Sequence, residues 1–193
     1  MRLFLALNFP DELRRAIHDA TAPLRAAAPA VSWVDAARLH LTLKFLGEQP
    51  AEVVGPLAQS LRAVAAAHAP LALAIGGLGA FPERRRPRVV WIGVAPDPKL
   101  ELLHHDVETA CGALGYEVEG RAFRPHVTLG RIRPAGRGRR PDLEPAVASA
   151  LADAAREVYS RWTADVGSVD LMESVLSSGG SRYRVLQAAP LGG

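Results

Sequence analysis

Two histidines, each followed two residues later by a threonine, give this sequence its first chemical content. His40 opens the segment HLTLKFLG and His126 opens HVTLGRI, and both begin His-x-Thr-Leu, with close to half the chain between them. Unperturbed imidazole titrates near pH ~6.5, so of two such rings one can be neutral and the other protonated at working pH. A neutral ring takes a proton from an attacking water; a protonated ring gives one to a departing oxygen. The hydroxyls of Thr42 and Thr128 can hydrogen-bond a phosphoryl oxygen without adding a charge that would disturb the imidazoles. Neither motif contains a carboxylate or a cysteine, which argues against a zinc site and for metal-free acid–base chemistry.

The element that must present these groups is a β-strand. Side chains alternate faces along a strand, so His40 and Thr42 point one way while Leu41 and Leu43 point the other. The second copy repeats the pattern, with His126 and Thr128 on one face and Val127 and Leu129 on the other. Two such strands read as two half-sites facing one another. Arg131 lies three residues beyond Thr128, on the opposite face of a regular strand. It reaches the site only through a bulge or the strand end, and Gly130 permits the kink. A guanidinium there would bind phosphate.

Around the motifs the hydrophobic period alternates between 2 and 3.6, which places the chain in the α+β or α/β class. Residues 2–9 read as a buried strand. Pro10, Asp11 and Glu12 then suit a helix start, with Leu13, Ile17, Ala20 and Leu24 inward. Helices are also expected over 52–68, 98–114 and 146–158, and strands over 32–34, 39–46, 71–81, 89–94, 116–118, 122–132, 163–173 and 182–187. Phe45, two positions beyond Leu43, falls on the aliphatic face and is expected in the core. Trp33 and Phe123 flank the motif strands and are weak candidates for base stacking. His18, His68, His104 and His105 are expected at helix surfaces. Cys111 reads as a small buried apolar residue.

The bulk composition excludes several classes. The 193 residues are 49% hydrophobic and 22% charged, ordinary values for one globular domain or two small lobes. No apolar run approaches the ~18–20 residues a membrane span needs. One cysteine leaves no intramolecular disulfide and fits a reducing cytosol. No Gly-rich phosphate loop follows a strand, so a Rossmann or Walker nucleotide fold is not expected. The net charge of +3 is uneven: residues 121–140 hold seven arginines and no acid, and Arg84, Arg85, Arg86 and Arg88 form a second cluster. Basic clusters of this kind fit a polyanionic ligand.

The paired motifs with their flanks, RLFLALNFP, LHLTLKFLGE, GGLGAFP with PRVVWIGV, FRPHVTLGRI and LMESVLSSGGSRYRVL, resemble the two-histidine phosphoesterase superfamily over essentially the whole chain. Within it they resemble the RNA 2′,3′-cyclic phosphodiesterases, also called 2′-5′ RNA ligases. The resemblance implies one bilobal α+β domain over residues 1–193. In it, two pseudo-twofold-related antiparallel sheets form a central cleft, with helices on the outer faces. It implies an enzyme that needs no cofactor or metal and hydrolyses the 2′,3′-cyclic phosphate end of RNA to a 2′-phosphate; a cytoplasmic monomer is expected alongside it. His126 would be the general base and His40 the general acid, with Thr42, Thr128 and Arg131 binding substrate. Reversal would join such an end to a 5′-hydroxyl. Two alternatives remain: an enzyme acting on a small cyclic nucleotide phosphate, and a module that binds RNA ends without turnover.

Overall fold

The structure is a computed structural model that describes residues 1–29, 31–81, 88–132, 162–177 and 180–192. Arg84, Arg85 and Arg86, the basic loop 134–141 and the helix expected over 146–158 lie outside the described residues. In chain order the elements are β1 (Arg2–Asn8), α1 (Asp11–Ala20), α2 (Ala22–Ala27), β2 (Ser32–Trp33), β3 (His40–Glu48), α3 (Val54–Ala66), β4 (Leu71–Phe81), β5 (Val89–Val94), α4 (Pro98–Ala113), β6 (His126–Arg131), β7 (Trp162–Val166), β8 (Ser168–Ser177) and β9 (Gly180–Pro190).

Local sequence explains most of these boundaries. Asp11 and Glu12 occupy the first turn of α1, where carboxylates complement the helix dipole. Asp97 caps α4 by accepting from the amides of Lys99 and Leu100, and Pro98 takes the first helical position. Gly115, at φ +89°, sits just past the end of α4 in the left-handed region that glycine enters without strain. Two expectations fail locally. Residues 116–118 form no strand. The strand expected over 163–173 is two strands, β7 and β8, divided by Gly167.

That division shapes the molecule. The described strands pair antiparallel in one sheet, in the order β7-β4-β5-β6-β3-β1-β8-β9, with β2 beside β6. β7 is at one edge and β8 is next to the other, yet only Gly167 separates them in sequence. A one-residue connection cannot cross a flat sheet of this width, so the sheet must curl. The expected pair of sheets is therefore one continuous run of pairing. Its two halves, β7-β4-β5-β6 and β3-β1-β8-β9, join through a single registered pair, Leu41 with Val127.

The core lies on the helix-covered face. Leu5 of β1 meets Leu57 and Leu61 of α3 and Val107 and Cys111 of α4 around a common apolar space. Leu41, Leu43, Val127 and Leu129 all enter this core. Burial of each contributes ~1.5–3 kcal/mol, enough to fix the register and hence the face on which the histidines emerge.

Candidate active site

The face turned away from the core carries the chemistry. In β3 and β6 the six residues from each histidine onward show the same pattern: half-buried, buried, half-buried, buried, buried, exposed. The two consecutive buried residues mark a bulge. Leu43 is the extra residue between the Leu5–Lys44 and Ala6–Thr42 pairs, and Leu129 is the extra residue between Val90–Gly130 and Trp91–Thr128. Each bulge reverses the alternation, so that the fifth residue after the histidine returns to the histidine's face. In β6 that residue is Arg131. In β3 it is Phe45.

The expectation that Phe45 lies in the core is thus corrected. Its ring is 66% exposed, whereas Lys44 is only 7% exposed. A second irregularity at Leu46, between the Leu3–Gly47 and Phe4–Phe45 pairs, closes the reversed stretch. Lys44 Nζ donates to Glu108 Oε2 of α4 at 2.7 Å and to the Glu117 carbonyl at 2.7 Å. Simple alternation misses this because it assumes one face per parity, and a bulge breaks parity.

The two imidazoles are held alike. His40 Nδ1 donates to the Arg38 carbonyl at 2.7 Å, and His126 Nδ1 donates to the Arg124 carbonyl at 2.7 Å. A proton fixed on Nδ1 leaves Nε2 as the nitrogen that gains or loses one. His40 Nε2 is 3.1 Å from Thr42 Oγ1, the position from which the hydroxyl donates to the neutral ring. An aromatic pair flanks each ring. Phe4 and Tyr183 lie 5.1 and 5.2 Å from His40, and Phe81 and Trp91 lie 5.1 and 6.1 Å from His126. Trp91 lies against Gly79, where an added Cβ would stand 2.1 Å from the indole. Glycine at 79 therefore makes room for the ring that flanks His126.

Burial sets the electrostatics. It lowers the pKa of both histidines below the ordinary imidazole value, partly offset by the Arg38 and Arg124 carbonyls, which favour the charged rings. The Arg131 guanidinium lowers both further, and Arg14 and His126 add to the effect on His40. Arg131 and both imidazoles therefore share one electrostatic neighbourhood.

The His40 side also holds a pocket of about 220 Å³, lined by Asn8, Arg14, Arg38, Asp170, Tyr183 and Val185 among others. Asp170, nearly fully buried, accepts from Asn8 Nδ2 at 2.6 Å and from Ser168 Oγ at 2.8 Å. Arg14 bonds Asp11 and the Ala37 carbonyl, and Arg38 bonds Asp35 and the Ser181 carbonyl. Sequence reasoning singled out none of these. They reach the site from β1, α1, the turn at residues 36–38, β8 and β9, and no spacing rule connects them.

Other candidates lie elsewhere. Trp33 donates to the Ala28 carbonyl and packs on the core, and Phe123 stacks on His104 at 3.8 Å. His104 is therefore not a free surface residue. Nor is His68, which is 7% exposed and 2.8 Å from Asp106. Cys111 is buried in the core, which pushes its thiol up to about 11 and makes it a poor nucleophile. Among the described residues no three His, Cys, Asp or Glu side chains are grouped to hold a metal ion, and no helix is long and apolar enough to cross a membrane.

The site lies where the two halves of one curled sheet meet, each supplying a His-x-Thr strand. The chain belongs to the 2′-5′ RNA ligase superfamily, whose sequence model matches residues 9–176. An RNA 2′,3′-cyclic phosphodiesterase of Archaeoglobus fulgidus is 30% identical over 187 residues, 97% of this chain and 98% of that protein. Another, of Geobacillus stearothermophilus, is 39% identical over 128 residues, 66% of this chain but 41% of that protein's length. Among solved structures, TT0787 of Thermus thermophilus superposes with a TM-score of 0.78 at 30% identity, covering 100% of this chain and 99% of that one. E. coli LigT complexed with 3′-AMP gives 0.72 at 28% identity, covering 98% and 97%.

Proposed function

We propose that this protein is an RNA 2′,3′-cyclic phosphodiesterase that opens the cyclic phosphate to a 2′-phosphate by paired histidine acid–base catalysis, as a cytoplasmic monomer without metal or cofactor. The observation that carries the reading is the junction of the halves, where β3 and β6 meet antiparallel at Leu41 and Val127. Carried one residue to either side of that pair, an antiparallel register would put His40 opposite Thr128 and Thr42 opposite His126, which supports the reading. Opening a cyclic phosphodiester requires attack in line with the departing oxygen, so base and acid must flank phosphorus from opposite sides. Two imidazoles presented by adjoining antiparallel strands support such an arrangement.

His126 Nε2 takes a proton from water; the water oxygen adds to phosphorus and the bond to the 3′ oxygen breaks. His40 Nε2–H protonates that departing oxygen. Thr42 and Thr128 donate to the equatorial oxygens, and Arg131 offsets their charge. The departing 3′ oxygen belongs to the terminal ribose, so the nucleoside lies on the acid's side. The pocket beside His40 supports that placement, because its lining offers both donors and a carboxylate acceptor. We further propose that the halves are related by an approximate twofold axis through the Leu41–Val127 pair. The strand order, with β3 answering β6, β1 answering β5 and β8 answering β4, supports it. In the reverse direction a 5′-hydroxyl would replace water, giving a 2′-5′ linkage.

The test is turnover of a dinucleotide ending in a 2′,3′-cyclic phosphate, in the presence of EDTA, with the product identified by phosphorus NMR. A 2′-phosphate at an undiminished rate is expected. No turnover, or loss of rate on chelation, would overturn the mechanism.

A further inference from the structure

The reversed stretch at Lys44 and Phe45 buries an ammonium and exposes a phenyl ring, the opposite of what solvation favours. The order is held in place from several sides. Bulges at Leu43 and Leu46 bracket it, and Lys44 is tied to Glu108 and to the Glu117 carbonyl. Glu108 Oε2 also accepts from the Glu119 amide at 3.0 Å. The fold commits a buried ion pair to this exchange, and the result is a phenyl ring presented on the face of the two histidines.

Phe45 stands in a row of rings. Phe4 lies 5.1 Å from His40 and 6.2 Å from Phe45, so Phe45 is one aromatic ring removed from the imidazole. It is not among the residues lining the pocket beside His40, which opens toward the other end of β1 at Asn8 and Asp170. The pocket is recessed and hydrogen-bonding, suited to the one nucleoside joined directly to the reacting phosphate. Phe45 is open, flat and without donor or acceptor. It suits a base that is held by its π-face alone, one nucleotide further along a strand.

We propose that Phe45 is a stacking platform for the nucleobase on the 5′ side of the terminal nucleotide, and that it gives the enzyme a preference for oligonucleotide ends over mononucleotides without regard to base identity. The inference rests on the phosphodiesterase reading above. Its equivalent in the other half is Arg131, five residues after His126 as Phe45 is five after His40. The same bulge thus delivers a charge for phosphate on one side and a ring for a base on the other.

The experiment compares kcat/KM for a nucleoside 2′,3′-cyclic phosphate with that for a dinucleotide carrying the same end, in the wild type, Phe45→Ala and Phe45→Trp. Phe45→Ala should lower the dinucleotide-to-mononucleotide ratio by roughly 5- to 150-fold, the range for stacking one base. Phe45→Trp should keep the ratio. A dinucleotide whose 5′ residue is abasic should show the reduced ratio in the wild type and little further loss in Phe45→Ala. Equal loss on both cyclic phosphates, no loss on the dinucleotide, or an undiminished effect with the abasic substrate would each overturn the platform. The affinities of mononucleoside and dinucleotide 2′-phosphates are measured by calorimetry in parallel. A wild type that turns over neither cyclic phosphate overturns the phosphodiesterase reading, and the same ratio read in affinities then decides the platform by itself.

Discussion

The strands β3 and β6 are built to one plan and finished differently. Each begins with a histidine bonded through Nδ1 to the carbonyl two residues before it, each sends two aliphatics into one core, and each bulges at the leucine that follows threonine. They part company at the next position. In β3 it is Lys44, buried against Glu108; in β6 it is Gly130, where an added Cβ would stand 2.6 Å from Val31 Cγ1 and 2.8 Å from the Trp33 ring. One bulge is held by an ion pair and the other by the absence of a side chain. The halves share what the chemistry needs in duplicate, an oriented imidazole with a hydroxyl beside it. On the proposed mechanism they differ where the substrate is itself asymmetric, with a nucleoside on one side of phosphorus and water on the other.

The sharpest way to break the comparison is to remove one imidazole at a time. His40→Ala and His126→Ala should each lower kcat by ~10²–10⁴-fold while the fold persists. A cyclic-phosphate analogue with a good leaving group at the 3′ position should rescue His40→Ala far more than His126→Ala, because such a group departs without a proton. Rescue of His126→Ala instead would exchange the two roles.

The supports of the two bulges should differ in stability. Lys44→Ala leaves the Glu108 carboxylate buried without its cation and should cost ~3–5 kcal/mol in denaturant unfolding. Replacing both partners, Lys44→Met with Glu108→Leu, should cost much less. Gly130→Ala overpacks against Val31 and Trp33 and should cost ~1–3 kcal/mol. A Lys44→Ala cost below that of Gly130→Ala would mean that the ion pair does not hold the first bulge.

Arg131 acts on both imidazoles. Arg131→Met should lower kcat/KM by roughly 10- to 150-fold, the range for a hydrogen bond to a charged group. The pH profile gives the sign independently. Burial and Arg131 disfavour the imidazolium, so the proposed acid of the free enzyme should lose its proton below the ordinary histidine range, and the alkaline limb of kcat/KM should lie there. Without Arg131 one cause is removed and the limb should move to higher pH. The limbs report the pair and not either ring alone. The same depression means that, as pH falls, the unfolded chain takes up these protons first. Histidine-linked stability is therefore whole above the unfolded value and lost as pH drops through the folded ones. The smallest effects belong to the hydroxyls. Thr42→Ala and Thr128→Ala should each cost roughly 2- to 10-fold in kcat/KM, one neutral hydrogen bond apiece.

Much of this was legible in the chain. Alternation fixed the faces of His40, Thr42, His126 and Thr128, because a strand with one buried side allows no other register. Helical periodicity located α4 nearly to the residue, with 98–114 expected and Pro98–Ala113 found. The two bulges were half legible: Gly130 signalled the kink that Arg131 needs, but nothing in HLTLKFLG marks Leu43 as an extra residue. That lysine goes inward depends on Glu108, 64 positions away, at the distance only packing supplies. Strand order was likewise decided in three dimensions, since β7 and β8 look like one strand until each finds a different partner. The aromatic pairs around the histidines and the pocket of Asn8, Arg14, Arg38 and Asp170 belong to the same class. Local sequence determines which way a side chain points from its own strand; what it points at is set by elements that reach the place from elsewhere in the chain.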